Sequence, residues 1–152
     1  MTLVCFDIDG TLAKIDHRLG FVRSKPKNWK AFNAGIPGDQ VNEAVRTVYR
    51  HFALSPFGDA TVVIASGRSE EVRESTEEWL RRNDIIQYDK LYMRKDRDFR
   101  SDDIIKEEIL KEIITDYGKK PDMVFDDRRR VVNMWRANGI WVFDCNQSGE
   151  DF

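Results

Sequence analysis

Two aspartates, Asp7 and Asp9, are separated by one residue and are followed directly by Gly10 and Thr11. The apolar run Leu3–Phe6 before them predicts a buried strand, so both carboxylates are expected to leave the end of that strand on the same side. The glycine after the pair indicates a turn at this point. Because turns also favour aspartate, the pair alone does not identify a site of chemistry.

Further polar side chains come at the ends of later predicted elements. The second strand runs into the hydroxyl of Ser66, Lys106 lies near the start of a later helix, and a later strand is followed by Asp126 and Asp127. If the strands are parallel, these groups join the first pair at one edge of the sheet. Four carboxylates can cluster only with a cation between them, and hard oxygen ligands indicate magnesium. The alternative interpretation is that these aspartates only form turns and cap helices.

Strands and helices are predicted to alternate along the chain. Five apolar runs predict strands at Leu3–Phe6, Thr61–Ala65, Lys90–Met93, Met123–Phe125 and Ile140–Phe143. Amphipathic patterns predict helices at Glu70–Arg82, Asp103–Tyr117 and Arg128–Asn138. This order favours an α/β fold with a Rossmann-like parallel sheet that is covered by helices on both faces.

One segment, residues 14–59, is too long for a simple crossover between two strands. Pro26 and Pro37 interrupt it, and helices are predicted within it at Asn28–Ala34 and Asp39–Leu54. We expect a short helical, cap-like insertion over the carboxyl ends of the strands, where such sheets bind ligands. The length of 152 residues suits a single domain, 1–152, that carries this insertion.

The composition bounds the class of protein. Hydrophobic residues make up 41% and charged residues 34%, with a formal net charge of -2, so the chain is not a broadly basic nucleic-acid coat. No apolar run reaches the 18 residues of a membrane span, and the N-terminus lacks the features of a signal peptide. Cys5 and Cys145 lie in strand-like apolar runs, which favours buried free thiols and a cytoplasmic location.

The local charge differs from this average near the start of the insertion. Six basic residues lie there against one acid, Asp16: Lys14, Arg18, Arg23, Lys25, Lys27 and Lys30. The patch suggests a site for anionic ligands, and the alternative is a solvated charged loop. Trp29 and Phe32 lie among these residues, where they would either stack on a nucleobase or pack the insertion.

The arrangement of Asp7-Ile8-Asp9-Gly10-Thr11, Ala65-Ser66-Gly67-Arg68, Lys106 and Phe125-Asp126-Asp127 resembles the four motifs of the haloacid dehalogenase-type phosphatases. The resemblance implies that Asp7 attacks phosphorus and becomes an aspartyl phosphate. Asp9 would protonate the leaving alcohol and then activate water, and Ser66 and Lys106 would hold the phosphoryl oxygens. Since an acid must be protonated when the alcohol leaves, we expect the pKa of Asp9 to be raised.

The same resemblance implies the metal ligands. Mg²⁺ would be bound by the Asp7 carboxylate, the Asp9 backbone carbonyl and Asp126, with Asp127 close by or acting through water. Together with the lysine, the cation would offset the repulsion between a phosphate dianion and a carboxylate nucleophile. Lys106 has a competing interpretation as an i,i+4 partner of Asp102 on one helix face, and both interpretations can hold together.

A closer resemblance is to the 3'-phosphatase domain of bacteriophage polynucleotide kinase. It rests on Asp7–Ala13, Val63–Arg68, Asp102–Glu108, Asp126–Arg128 and Met134–Arg136. In that family an arginine eleven residues after the nucleophile and the arginine of the Ser-Gly-Arg motif help to grip the substrate. The substrate-binding residues predicted on this basis are Thr11, Arg18, Gly67, Arg68 and Asp102.

The predicted activity is therefore the magnesium-dependent hydrolysis of phosphomonoesters, with a 3'-phosphate on a nucleic acid end or nucleotide as the substrate. No membrane partner is expected. The alternative enzyme is a nucleotidase or general small-molecule phosphatase. A catalytically inactive nucleotide-binding module is a third interpretation, and the intact nucleophile, acid, lysine and metal pair argue against it.

Overall fold

The computed structural model describes residues 1–150, which form a central parallel sheet with helices on both faces. The strands in chain order are β1 (Thr2–Phe6), β2 (Ala13–Lys14), β3 (Gln40–Val41), β4 (Ala60–Ser69), β5 (Lys90–Arg94), β6 (Met123–Asp126) and β7 (Trp141–Asp144). The helices are α1 (Gly20–Arg23), α2 (Trp29–Ala34), α3 (Glu43–Ala53), α4 (Arg73–Arg82), α5 (Asp102–Tyr117) and α6 (Arg129–Ala137), and three short 3-10 turns complete the described elements.

The main sheet has the order β5-β4-β1-β6-β7, and all its neighbouring strands are parallel. The chain builds outward from β1 through β4 to β5, and it then returns to the other side of β1 with β6. The strand order thus reverses between β1 and β6, which is where open α/β sheets hold their ligands. The predicted α/β parallel fold and all five of its predicted strands are confirmed.

The central strand β1 is apolar on both faces because helices cover both faces. Val4 and Phe6 point into a core that α3 and α4 share, with Tyr49 as a contribution of α3. Leu3 and Cys5 point into a second core, which α5 and α6 cover. Burial on two sides therefore holds the carboxyl end of β1 in one position in the sheet.

Strand β4 is longer than predicted. It continues past Ala65 to Ser69, and its register with β5 is irregular between those two residues. An irregularity of this kind redirects the side chains around it. Ser66, Gly67 and Arg68 therefore lie within this distorted end of the strand and not in a loop after it.

The segment 14–59 contains a small antiparallel pair that was not predicted. Ala13 pairs with Val41 and Lys14 with Gln40, so β2 and β3 close the base of the segment. Because β3 occupies residues 40–41, the helix predicted at Asp39–Leu54 begins only at Glu43, as α3. This helix packs against β4 as a crossover. The residues before the pair closes, 15–39, reach the carboxyl edge of the sheet, where Arg18 contacts Asp9 and Asp39 contacts Arg68. The division of the chain into domain and cap remains a prediction.

Both cysteines are free thiols, as predicted. Cys5 is buried as predicted, whereas Cys145 is only half-buried. Within residues 1–150, no helix has the length and apolar character that crossing a membrane requires.

Candidate active site

Three carboxylates converge where β1 and β6 end side by side. Asp7 follows β1, while Asp126 ends β6 and is followed by Asp127, and the backbone N–H of Asp7 donates to the Phe125 carbonyl at 2.9 Å. One oxygen from each carboxylate lies within 4.8 Å of the others, and all three residues are buried. The structure thus brings together three of the four predicted metal ligands through their side chains.

The electrostatics of this cluster show an excess of negative charge. Burial, followed by the charge of neighbouring aspartates, raises the pKa of Asp7 well above its ordinary range. Burial and the charge of Asp126 likewise raise the pKa of Asp127 to about 7. Buried carboxylates that repel one another in this way are a suitable donor set for a divalent cation with hard oxygen ligands.

Lys106 is the cation that the protein itself supplies to the cluster. It lies in the second turn of α5, is buried, and donates from Nζ to Asp7 Oδ1 at 2.8 Å and to Asp126 Oδ2 at 3.0 Å. Burial lowers the pKa of Lys106, but Asp126 and Asp7 outweigh that effect and raise it above its usual range. The lysine is therefore a fixed positive charge beside Asp7.

Asp102 has other partners than the lysine four residues after it. It accepts hydrogen bonds from the guanidinium groups of Arg94 and Arg128. A Cβ on Gly67 would lie 3.0 Å from Asp102 Oδ1, so the absence of a side chain at position 67 lets the carboxylate approach β4. The hydrogen bonds of Lys106 thus go to Asp7 and Asp126 and not to Asp102, and its role toward phosphate stays a prediction.

The turn after β1 has a strict steric requirement. Gly10 has a φ of +84°, and a Cβ there would lie 1.9 Å from Asp127 Oδ2. Only glycine allows both this backbone conformation and the close approach of the carboxylate. The next residue, Thr11, is fully buried and donates from Oγ1 to Asp7 Oδ2 at 3.2 Å. Gly10 was recognised from the sequence as a turn residue but not as a neighbour of Asp127.

Ser66 and Thr11 are the two hydroxyl residues of the predicted site, and their bonding differs. Ser66 is buried, and its Oγ accepts a hydrogen bond from the backbone N–H of Arg68 at 3.1 Å. That bond leaves the hydroxyl hydrogen of Ser66 available to a ligand, whereas the hydroxyl of Thr11 is directed to a carboxylate.

Asp9 lies outside the carboxylate cluster and is held by two arginines. Its Oδ1 accepts from Arg18 Nη2 at 2.9 Å and from Arg68 Nε at 3.0 Å. Both arginines also bind Asp39, whose side chain is fully buried: Arg18 Nε donates to Oδ1 at 2.7 Å, and Arg68 Nη2 donates to Oδ2 at 3.1 Å. Asp9, Arg18, Asp39 and Arg68 therefore form a closed ring of four charges, which we call the Asp-Arg ring.

The Asp-Arg ring overturns one expectation from the sequence. Burial raises the pKa of Asp9, but the positive charges of Arg68 and Arg18 more than offset it and hold that pKa below its ordinary value. The expected raised pKa of Asp9 is therefore wrong for this arrangement. The two arginines were predicted to face the substrate, and in the structure they converge on the acid.

Three residues of the site were missed in the sequence. Asp39 was taken as the first residue of a helix, and nothing local marks it as the partner of two distant arginines. Trp135 donates from Nε1 to Asp126 Oδ2 at 3.1 Å, and Trp79 donates from Nε1 to the Asp39 backbone carbonyl at 2.9 Å. A buried tryptophan needs a hydrogen-bond acceptor for its indole N–H, and this need was the available signal. The sequence does not show which acceptor each indole N–H finds.

Known proteins include relatives of this chain in sequence and in structure. The family model for the polynucleotide kinase PNKP phosphatase domain matches residues 1–152. A putative bifunctional polynucleotide kinase/RNA ligase of Autographa californica nuclear polyhedrosis virus is 32% identical over 137 residues, which are 88% of this chain and 17% of the viral protein. A chain in the structure of the Pnkp1/Rnl/Hen1 RNA repair complex is 32% identical with a TM-score of 0.74, covering 94% of this chain and 41% of that one.

More distant structures share the fold. A haloacid dehalogenase-like family hydrolase from Streptococcus pneumoniae has a TM-score of 0.65 at 13% identity, covering 95% of this chain and 84% of the other. Both relatives at 32% identity are much longer than this chain, which spans about two fifths of the chain from the RNA repair complex and under a fifth of the viral protein.

Proposed function

Since this chain belongs to the polynucleotide kinase PNKP phosphatase domain family, we propose that it removes 3'-phosphates from nucleic acid ends or nucleotides through an aspartyl phosphate on Asp7. Membership makes it a phosphomonoesterase with the haloacid dehalogenase fold. The observation that carries the proposed mechanism is the placement of Asp7. Its two oxygens are held separately by Lys106 and Thr11, at the edge of a buried carboxylate cluster.

The proposed cofactor is Mg²⁺. Asp7, Asp126 and Asp127 would hold it with their carboxylates, because these buried groups outnumber the single ammonium of Lys106 among them. Bound there, it would supply positive charge against the repulsion between a phosphate dianion and the nucleophile. The backbone carbonyl of Asp9 stays a predicted further ligand.

In the first proposed step, a carboxylate oxygen of Asp7 attacks phosphorus and the ester P–O bond breaks. Lys106 stabilises charge on the transferring group, and the hydroxyl of Ser66 donates to one of its oxygens. The leaving alcohol takes a proton from Asp9. In the second step Asp9 takes a proton from water, the water oxygen attacks phosphorus, and the bond to Asp7 breaks to release phosphate.

Asp9 must hold a proton for the first step, although Arg18 and Arg68 lower its pKa in the structure. The proposed solution is an exchange of partners. A phosphate dianion is a stronger partner for a guanidinium than a carboxylate, so substrate would draw an arginine away from Asp9. Loss of that charge would raise the pKa of Asp9 while substrate is bound.

The substrate preference is tested by phosphate release from matched 3'- and 5'-phosphorylated nucleotides and oligonucleotides, with Mg²⁺ and with a chelator. We expect faster turnover of 3'-phosphates, and loss of turnover with the chelator or in Asp7→Asn. The Asp7→Asn protein also controls for contaminating phosphatases.

The alternative is a nucleotidase or general small-molecule phosphatase, and one observation favours it. Arg18 and Arg68 are already satisfied by Asp9 and Asp39, so neither is reserved for a nucleic acid. Equal hydrolysis of 5'- and 3'-nucleotides, with no gain for oligonucleotides, would establish this alternative. A non-catalytic nucleotide-binding module does not agree with membership of a family of phosphatase domains.

The partner proposed for this chain is a phosphorylated nucleic acid end. The solved relative at 32% identity comes from an RNA repair complex, which supports a nucleic acid substrate of that kind. A cytoplasmic location remains a prediction.

A further inference from the structure

An exposed tryptophan lies at the outer end of a row of contacts that leads to Asp9. Trp29 is 55% exposed, and its ring meets that of Phe32 edge to face, with centroids 5.6 Å apart. Phe32 is buried and lies under the guanidinium of Arg18, 4.2 Å from Cζ to the ring centroid. Arg18 in turn donates to Asp9 at 2.9 Å. Three consecutive contacts thus connect the surface with the proposed general acid.

The backbone around Trp29 is fixed by local bonds. Asn28 caps α2, its Oδ1 accepting from the backbone N–H of Ala31 at 3.0 Å, and its own N–H donates to the Phe21 carbonyl at 2.7 Å. The first residue of α2 is therefore held in place, and its indole extends from a fixed point. An aromatic group of this kind loses little conformational freedom when it binds a flat ligand.

The surface around Trp29 is positively charged. Residues 20–34 contain four basic side chains and no acidic one. Of these, Arg23 faces Glu150 at 3.9 Å, while Lys25, Lys27 and Lys30 are exposed. The ammonium of Lys27 lies 5.7 Å from the centre of the Trp29 ring. Single-stranded nucleic acids are bound by this combination of an aromatic face for a base and lysines for the backbone phosphates.

We propose that Trp29 stacks on a nucleobase within the last two nucleotides of the strand whose 3'-phosphate is hydrolysed, and that the flanking lysines follow its backbone. This inference rests on the proposed function and specifies how the strand is held. It assigns Trp29 to substrate binding, whereas Phe32 packs the segment and supports Arg18.

The competing explanation is that Trp29 only packs on Phe32 and so keeps Arg18 in place. The two explanations differ in what removal of the base does. If Trp29 stacks on a base, removal of the base lowers kcat/KM only while the indole is present, and removal of the indole lowers it only while the base is present. If Trp29 only packs, its loss lowers turnover equally with and without the base.

The test is a double-mutant cycle between Trp29→Ala and the nucleobase. The substrates are 3'-phosphorylated single-stranded hexanucleotides, either complete or with an abasic residue at the last or the second-last position. In the wild-type protein we expect removal of one base to lower kcat/KM roughly 5- to 20-fold, mostly through KM, within the range for base stacking. In Trp29→Ala the complete and abasic substrates should be hydrolysed at the same efficiency, and Trp29→Phe should restore most of the difference.

The matched control is Trp141→Ala, because Trp141 is also exposed, at 71%, but lies on the edge strand β7. It should show the wild-type ratio between complete and abasic substrates. A base effect that persists in full in Trp29→Ala overturns the inference, as does the absence of any base effect in the wild-type protein.

Failure of the inference is distinguishable from failure of the proposed function. If the wild-type protein prefers 3'-phosphates over 5'-phosphates but shows no base dependence, only the inference about Trp29 fails. If it shows no preference for 3'-phosphates at all, the proposed function fails first.

A second measurement is the salt dependence of KM in the variant Lys27→Ala. The slope of log KM against log salt should be smaller by about 0.7 than in the wild type if this lysine contacts one phosphate. An unchanged slope would remove Lys27 from the binding surface.

Discussion

Removal of the Asp39 carboxylate tests whether the Asp-Arg ring supports both the fold and the site. Asp39 has a fully buried side chain that accepts two hydrogen bonds from Arg18 and one from Arg68, and its Oδ1 also contacts His17 Nε2 at 2.7 Å. Asp39→Ala would leave two buried guanidinium groups with Asp9 as their remaining acid.

The expected cost follows from the burial of the two arginines. Breaking a buried ion pair by removal of one partner costs about 3–5 kcal/mol, because the other charge stays buried without compensation. Asp9 still pairs with both Arg18 and Arg68, so we expect the lower end, about 3 kcal/mol. For a domain of this size, that corresponds to a fall in melting temperature of roughly 6–12 °C. Asp39→Asn keeps the shape and one acceptor and should cost less.

The assay is urea and thermal unfolding, with Glu108→Gln as the matched control. Glu108 pairs with Arg100 at 2.6 Å, but both side chains are 46% exposed, so loss of this surface pair should cost at most about 1 kcal/mol. If Asp39→Ala is no less stable than Glu108→Gln, the Asp-Arg ring does not support the fold in the way described.

The pH dependence of turnover tests whether Asp39 also positions and tunes Asp9, because a purely structural role of Asp39 would leave that dependence unchanged. Without the negative charge of Asp39, Arg18 and Arg68 act on Asp9 alone and should lower its pKa further. Since Asp9 must be protonated to act as an acid, the alkaline limb of kcat in Asp39→Asn should move to lower pH. An alkaline limb at the wild-type position would refute the electrostatic coupling of Asp39 to Asp9.

Three further outcomes test the site. Asp7→Asn should abolish turnover while the melting temperature stays near or above that of the wild type, because an amide cannot displace the ester oxygen; wild-type rates in a preparation free of other phosphatases would reject Asp7 as the nucleophile. Asp9→Asn should slow alkyl esters far more than aryl esters with good leaving groups, which need little protonation, and equal slowing across both classes would count against a general acid. Burial and the charge of Asp126 raise the pKa of Asp127 to about 7, against roughly 3.9 when unfolded. Between these two pH values the folded state keeps a proton on Asp127 that the unfolded state has released. The free energy of unfolding without Mg²⁺ should therefore fall as the pH rises through this range. Mg²⁺ competes with this proton, so it should raise the melting temperature more at pH 8 than at pH 5, and an equal rise at both would argue against Asp127 in the metal site.

The centre of the sheet could be predicted because its inner strands β1, β4 and β6 are largely buried and appear in the sequence as apolar runs. Leu3–Phe6 and Met123–Phe125 were predicted as strands of a parallel sheet, so Asp7 and Asp126 were expected at one edge of it. That these two strands pair directly was not predicted. The antiparallel pair β2–β3 could not be predicted in this way. Each of its strands has two residues, too few for a periodic pattern, and their pairing joins residues that are far apart in the sequence.

The roles of Arg18 and Arg68 could be predicted only in part for the same physical reason. Their type and position indicated anion binding, and guanidinium groups do bind anions in the structure, but the anions are Asp9 and Asp39. An arginine with a free acid within reach is satisfied by that acid, and the sequence does not show which acids lie within reach. Asp39 follows a glycine in an irregular segment, where the usual explanation for an aspartate is a turn.

The Asp-Arg ring joins two parts of the chain with different tasks. Arg18 and Asp39 lie in the segment 15–39. Asp9 follows β1 of the sheet, and Arg68 lies near the end of β4. If a substrate phosphate draws one arginine from Asp9, as proposed, it would change both the protonation of Asp9 and the contacts that hold that segment. Correct placement of the phosphate would thus be required before Asp9 can act as an acid. Substrates that fail to engage Arg18 or Arg68 should accordingly lose kcat as well as affinity, because their general acid stays ionised.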